Sequence, residues 1–199
     1  MRVVGGSLRG RALAAPKSQS IRPTADRLRE ALFNILVHAY DNPIEGARVL
    51  DLFAGTGALG IEALSRGAAF TLFVDDGAEA RALLRENVAT LGLGGTSRIF
   101  RRDATQLGPA HPVEPFSLAF LDPPYGKGRA EQALASARAG AWLVPDALIV
   151  VEEAKKSAFT APEGFAEIER RSYDDTEFVV LRLATPQWCR LPSWHRPRF

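Results

Sequence analysis

Asp51-Leu52-Phe53-Ala54-Gly55-Thr56-Gly57-Ala58-Leu59-Gly60 follows an apolar run and leads into a segment with helical spacing. Read as strand, glycine turn and helix, these ten residues set the fold, because the same alternation continues after them. ARVLDLF (47–53) predicts a strand, and ALGIEALSRG (58–67) a helix stopped by Gly67. AFTLFVD (69–75) is a strand and AEARALLRENVATLG (78–92) a helix stopped by Gly92. SRIFRRD (97–103) and FSLAFLD (116–122) are strands, GRAEQALASARAGAW (128–142) a helix, and DALIVVEE (146–153) a strand. FAEIERRSYDDTEFVVLRLA (165–184) reads as two strands joined by a turn. Strands that alternate with helices form a parallel sheet covered on both faces, and near-continuous apolar strands fit that double cover. The expected fold is α/β and Rossmann-like: a doubly wound, mostly parallel seven-stranded sheet, with the terminal hairpin adding one antiparallel strand.

Ahead of this alternation, RVVGG (2–6) and GRALAA (10–15) flank GSLRG and predict a small β-hairpin. PKSQSIRP is a loop, and Thr24 is expected to cap the helix that follows. In TADRLREALFNILVHA (24–39), Leu28, Ala31, Leu32, Ile35 and Leu36 form one apolar stripe, with Arg27, Glu30 and Asn34 on another side. The organisation expected is a hairpin and helix over 1–40 and a sheet unit over 41–184, forming one domain, followed by a tail over 185–199.

Composition narrows the class. The chain has 199 residues, 46% hydrophobic and 24% charged, which suits a single globular domain. No apolar window approaches the length of a membrane span, and the first residues do not read as a secretory signal. Cys189 is the only cysteine, so no intramolecular disulfide or cysteine metal cluster can form. The expected location is cytoplasmic. His38, His111 and His195 are scattered and show no metal or triad spacing, and Trp142 reads as a core residue. The net charge of +2 is unevenly spread. Residues 1–40 hold seven basic and two acidic side chains, and residues 185–199 hold three basic and none acidic. A basic front on an acidic body suits contact with a polyanion.

Ligands of doubly wound sheets bind at the carboxyl ends of the strands. Here those ends carry Asp51, Asp75, Asp103 and Asp122, four acids at one rim. Gly55-Thr56-Gly57-Ala58-Leu59-Gly60 matches the G-x-G-x-x-G of dinucleotide sites, and Asp75 stands about where a ribose-binding acid belongs. Asp51 argues against a pyrophosphate, which needs bare amide donors at the helix N-terminus. A carboxylate there suits a cation instead, such as the sulfonium and ammonium of S-adenosylmethionine. The pattern D-x-F-x-G-x-G over Asp51, Phe53, Gly55 and Gly57 resembles the cofactor loop of class I methyltransferases. That resemblance implies S-adenosylmethionine as cofactor, Asp75 at its ribose, and Asp103 and Ala104 at its adenine.

Leu121-Asp122-Pro123-Pro124-Tyr125 closes the fourth strand. Two prolines make a stiff extended corner. DPPY resembles the (D/N)-P-P-(Y/F) signature of methyltransferases that act on nucleobase amines. An exocyclic amine is a poor nucleophile with two hydrogens to donate. Asp122 and the Pro123 carbonyl can accept one each, orienting the nitrogen and offsetting its developing charge. Pro124 stiffens the corner, and Tyr125 offers a face on which a flipped-out base can stack.

Taken with RVVGG, RGR, IRPTADRLREALFN and DLFAGTGALGIEALSRGA, the chain resembles bacterial 16S ribosomal RNA guanine-N2-methyltransferases of the small-subunit type over residues 1–184. The resemblance implies methyl transfer to one guanine of 16S rRNA in an assembled or assembling small subunit. It also implies RNA contacts by Arg9, Arg11, Arg22 and Arg27, and a monomer that needs no metal. Family members often carry Glu at the ribose position, so Asp75 and Asp76 are both candidates there. DPPY alone would also fit a DNA adenine or cytosine amino-methyltransferase, although little chain remains for a domain that reads duplex sequence. A binding factor in ribosome assembly would use the basic arm but leave the acidic rim unexplained. The tail TPQWCRLPSWHRPRF, rich in proline, tryptophan and arginine, lies outside the family pattern.

Overall fold

The computed structural model describes residues 1–16 and 23–184. Its elements follow the expected alternation. Helix α1 spans Pro23–Ala39, then come β1 (Arg48–Leu52), α2 (Ala58–Ser65), β2 (Phe70–Val74), α3 (Ala78–Thr90) and β3 (Ser97–Phe100). A short 3-10 helix at Ala104–Gln106 precedes β4 (Phe116–Leu121), α4 (Arg129–Ala139), β5 (Leu143–Ala154), β6 (Phe165–Tyr173) and β7 (Thr176–Leu183). The sheet order is β3-β2-β1-β4-β5-β7-β6. Strands β1 to β5 pair in parallel, and β7 runs antiparallel to both β5 and β6.

The pleat sorts side chains onto two faces. Leu50, Leu52, Ala119, Leu121, Ile149 and Val151 join a core with Ala130, Ala133, Leu134 and Ala137 of α4. Val49, Leu118, Phe120, Leu148 and Val150 join a second core with Leu32, Phe33 and Leu36 of α1 and Ala63 of α2. Phe73 of β2 packs with Ile61 of α2 and Leu84 of α3 in a third. Helices α1, α2 and α3 therefore cover one face and α4 the other.

The N-terminal segment is built into these cores. Val3 and Leu13 are buried with Ile61, Phe73 and Leu84. The expected hairpin is reduced to one antiparallel bridge, Arg2 with Ala12, supported by Val3 N–H to the Arg11 carbonyl at 2.9 Å. Three glycines in this stretch explain the brevity, since the chain gains little from extended pairing at Gly5, Gly6 and Gly10. Two details of α1 differ from the sequence reading. The helix begins at Pro23, so Thr24 lies inside its first turn; proline suits that position because the first N–H has no intrahelical partner. The buried stripe is centred on Leu32, Phe33 and Leu36, with Ile35 only half-buried, because Phe33 packs on Phe120 at 5.5 Å between ring centroids. Strand β5 starts at Leu143, earlier than expected, where its pairing with β4 is irregular.

Trp142 lies just beyond α4 and is buried. It stacks on Phe116 at 6.3 Å and donates its indole N–H to the Gly108 carbonyl at 2.7 Å. Trp142→Ala should destabilise the protein by about 3–5 kcal/mol, measured as a fall in the urea unfolding midpoint. An unchanged midpoint would mean that this end of the core does not hold β4 and β5 together.

Candidate functional site

The glycine turn between β1 and α2 is built on unusual backbone. Phe53, Gly55 and Gly57 all have positive φ, at 60°, 56° and 80°. At Phe53 a bulky residue holds this conformation, a strained choice that concentrates at ligand sites. The two glycines have different reasons to be glycine. A Cβ at Gly57 would lie 2.4 Å from Leu84 Cδ1, so Gly57 lets α2 sit against α3. A Cβ at Gly55 would meet only the Phe53 carbonyl oxygen at 3.9 Å, so the space beside it is open to a ligand.

Carboxylates pin this turn. Asp51 is the fourth residue of β1, 1% exposed, and its Oδ2 accepts the Gly60 N–H at 2.9 Å. Burial pushes its carboxyl up to about 8; the Gly60 hydrogen bond opposes this and the charge of Asp75 adds to it. Asp75 follows β2, and its two oxygens accept the N–H groups of Gly55 and Gly77 at 2.8 Å each. It thus joins the glycine turn to the start of α3. Asn87 of α3 completes the brace, donating to the carbonyls of Ala14 and Thr56 and accepting from the Ala14 N–H.

Two cavities meet at this rim. One, of about 890 Å³, is lined by Asp51, Phe53, Gly55, Asp122, Tyr125 and Glu152 among others. The second, of about 500 Å³, is lined by Asp75, Asp76, Ala104 and the Asp122–Tyr125 corner. Phe53, Asp122 and Tyr125 belong to both, so the DPPY corner stands where the cavities join. Solvent reaches Asp122 through the open cleft, but protein surrounds it on its other sides. That desolvation comes first, then the charges of Glu152, Asp51 and Glu153, and together they hold its carboxyl well above the ordinary range. Tyr125 is 44% exposed and donates its hydroxyl to Glu152 Oε1 at 3.0 Å. Burial, followed by the charges of Glu152 and Asp122, raises its phenol.

The sequence-derived candidates fall into three groups. Asp51, Phe53, Gly55, Asp75, Ala104 and Asp122 to Tyr125 converge on the joined cavities. Gly57 and Asp103 stand in supporting places. Asp103 lies three residues beyond β3, and its Oδ1 accepts from the N–H and hydroxyl of Thr105, capping the 3-10 helix. Those bonds lower its carboxyl below the usual range. The basic candidates lie apart. Arg9 and Arg27 line an adjoining surface cleft of about 700 Å³ between the N-terminal segment and α1, together with Arg2, Asp26 and Glu30. Arg11 instead reaches the Thr90 carbonyl at the end of α3, at 3.2 Å. Arg22 and the tail 185–199 lie outside the described residues. Among the described residues no helix is long and apolar enough to cross a membrane.

Sequence reading missed Glu152 and Arg29. Glu152 is the next-to-last residue of DALIVVEE, near a strand end like the four that were singled out, and that position was the available signal. Arg29 comes from the face of α1 that carries the apolar stripe. It is 5% exposed, donates to Asp26 at 2.8 Å and to the Arg2 carbonyl, and lines the larger cavity.

Comparison with known proteins shows the family. The family model described as conserved hypothetical protein 95 matches residues 1–182. The chain is 40% identical over 168 residues to ribosomal RNA small subunit methyltransferase D of Escherichia coli K12, covering 83% of this chain and 81% of that protein. It is 34% identical over 185 residues to the Haemophilus influenzae protein of the same name, covering 92% of each. Among solved structures, Escherichia coli yhhF, provisionally described as a methyltransferase, matches with a TM-score of 0.77. That match has 33% identity and covers 92% of this chain and 98% of that one.

The Asp51 carboxyl keeps a proton in the folded chain that the unfolded chain releases above its ordinary value of 3.8. Its contribution to stability therefore falls as pH rises from 3.8 and levels off above about 8. Asp51→Asn keeps an acceptor for the Gly60 N–H and removes this dependence. The variant should gain on the order of a few kcal/mol over the wild type at pH 8 and show a flatter profile of denaturation midpoint against pH. Parallel profiles for the two proteins would mean that Asp51 is ionised in the fold.

Proposed function

This chain belongs to the family of conserved hypothetical protein 95, and we propose that it methylates the exocyclic N2 of a guanine in 16S rRNA, using S-adenosylmethionine on the small ribosomal subunit. The observation that carries this reading is the DPPY corner, held where two cavities join and beside a buried Asp51. The names of the relatives supply the ribosomal substrate class.

The residues suit the cofactor. Open space beside Gly55 accepts a close-lying ligand, and Asp51 offers a carboxyl whose ionisation a nearby cation would favour. Asp51, Phe53 and Gly55 would hold the amino-acid portion, and Asp75 or Asp76 the ribose, with Ala104 against the adenine. Gly57 and Asp103 act behind them, by packing α2 and shaping the 3-10 turn. When bound, S-adenosylmethionine supplies a methyl group on a positively charged sulfur.

The chain's own task is to orient and steady the amine. Asp122 and the Pro123 carbonyl accept its two hydrogens, and the stiff proline pair keeps them in place. The carboxylate offsets positive charge growing on nitrogen as the N–C bond forms and the S–C bond breaks. The raised proton affinity of Asp122 makes its ionised form a strong acceptor for the proton that nitrogen then loses. Tyr125 supplies a face for the extruded base.

The test is transfer from labelled S-adenosylmethionine to small subunits lacking the modification, with naked rRNA and duplex DNA alongside, read by nucleoside mass spectrometry. N2-methylguanosine is expected from the subunits; methylated adenine or cytosine, or activity on DNA alone, would overturn the assignment. Asp122→Ala should lose roughly 100-fold or more in turnover while still binding the donor. Retained turnover would remove the DPPY corner from the chemistry.

The cleft that contains Arg9 and Arg27 is proposed to take RNA phosphates. Reversing both charges (Arg9→Glu with Arg27→Glu) should weaken subunit binding and shallow its dependence on salt by about one unit of log–log slope per lost contact. An unchanged slope in a filter-binding series would place the RNA elsewhere.

A further inference from the structure

Glu152 stands in the larger cavity without a role in the chemistry above. Its position follows from sheet order. Strand β5 pairs with β4 so that Val151 lies opposite Leu121, which sets Glu152 beside Asp122 one residue further on. The pleat gives both the same face. Phe120 and Val150 share the core under α1, and Asp122 and Glu152 each lie two residues beyond them. Asp51, two residues beyond Val49, is on that face as well. Three carboxyl groups from neighbouring strands thus point into one cavity.

A second carboxylate at the mouth of an amine-binding site has a cost. Glu152 and Asp122 repel, and burial penalises both. The groups that offset this at Glu152 are the Tyr125 hydroxyl at 3.0 Å and the charge of Arg29, both of which favour its ionised form. The Tyr125 bond fixes one carboxyl oxygen at the wall of the cavity. Tyr125 satisfies Oε1, and the second oxygen remains available for a ligand in the cavity.

Nucleobases differ in the group next to the exocyclic amine. In guanine the N2 amine is flanked by N1–H, a donor, on one side and by N3, an acceptor, on the other. In adenine and cytosine the neighbouring ring nitrogen carries a lone pair, an acceptor. A carboxylate beside the amine site pairs with guanine and repels the other two. We propose that Glu152 selects guanine by accepting its N1–H while Asp122 and the Pro123 carbonyl hold the N2 amine. This rests on the function proposed above and supplies what the DPPY corner lacks, since an amine alone does not distinguish the bases.

The experiment uses 2-aminopurine, which keeps the 2-amine of guanine but has an unprotonated N1. The target guanine is first mapped, and small subunits are then assembled on 16S rRNA carrying either base at that position. The wild-type protein should favour guanine by roughly 100-fold or more in kcat/KM, because a site built for a donor rejects the analogue lacking it. Glu152→Gln can still accept the Tyr125 hydroxyl, but its amide can also donate to N1. It should bring the two substrates to within about tenfold of each other. Tyr125→Phe removes the hydroxyl contact and is expected to lower turnover on both while keeping the preference. Equal use of both substrates by the wild type would overturn the proposal, as would an unchanged preference in Glu152→Gln or turnover of neither by that variant. A preference lost equally in Tyr125→Phe would reduce Glu152 to a support for the tyrosine ring. If the wild type methylates no guanine on any subunit, the function proposed above fails first and takes this inference with it.

Discussion

Strands β1 and β4 lie side by side in parallel, yet each hands the chain to a helix on the opposite face of the sheet. The two connections part at that seam and leave a crevice between them. The candidate site depends on this parting. The glycine turn after β1 forms one wall and the DPPY corner after β4 the other, and they face each other across the joined cavities. The pleat then selects which side chains enter. Asp51, Asp122 and Glu152 are spaced two residues beyond core positions on one face, so the register that buries Val49, Phe120 and Val150 also gathers three acids.

Gathering acids in a poorly solvated cleft is unfavourable without partners. The fold handles the three differently. Asp51 accepts one amide and is pushed up to about 8 by burial. Glu152 is held by a phenol and faces a guanidinium. Asp122 has no such support among the causes of its shift; burial and neighbouring charge all push it upward. It sits where the amine is proposed to bind.

The N-terminal segment reaches this site through a buried ionic cluster. Glu62 of α2, with no exposed surface, pairs with Arg66 at 2.7 Å and Arg29 at 3.6 Å and accepts the Val4 N–H at 2.8 Å. Buried charges that satisfy one another in this way fix geometry more than they add stability. The cluster locks residues 1–16 and α1 against the sheet, brings Met1 and Arg29 to the cavity wall, and leaves Arg9 and Arg27 on the adjoining surface. Among the described residues, the basic N-terminal segment is therefore packed beside the site.

The alternation of strands and helices was legible in the chain because hydrophobic period is a local property, and β1 to β5 lie where it placed them. The glycine turn and the double proline were legible for the same reason: they restrict backbone angles whatever surrounds them. Element edges were less so. Thr24 falls inside α1 and Phe33 replaces Ile35 in the core, because tertiary packing chose the buried face. Asp103 was read as a strand end, but the strand stops at Phe100 and the carboxylate caps a 3-10 turn that no periodicity announces. Arg29 was beyond reach, and Glu152 showed only as an acid near a strand end. Their importance comes from β5 lying next to β4 and α1 lying over both, and strand order is a long-range choice that the local pattern of any one segment does not encode. The sequence by itself determined the alternation of elements and the residue types at the two corners. The tertiary structure alone decided which acids share a cavity, because only sheet order and pleat bring residues a hundred positions apart onto one face.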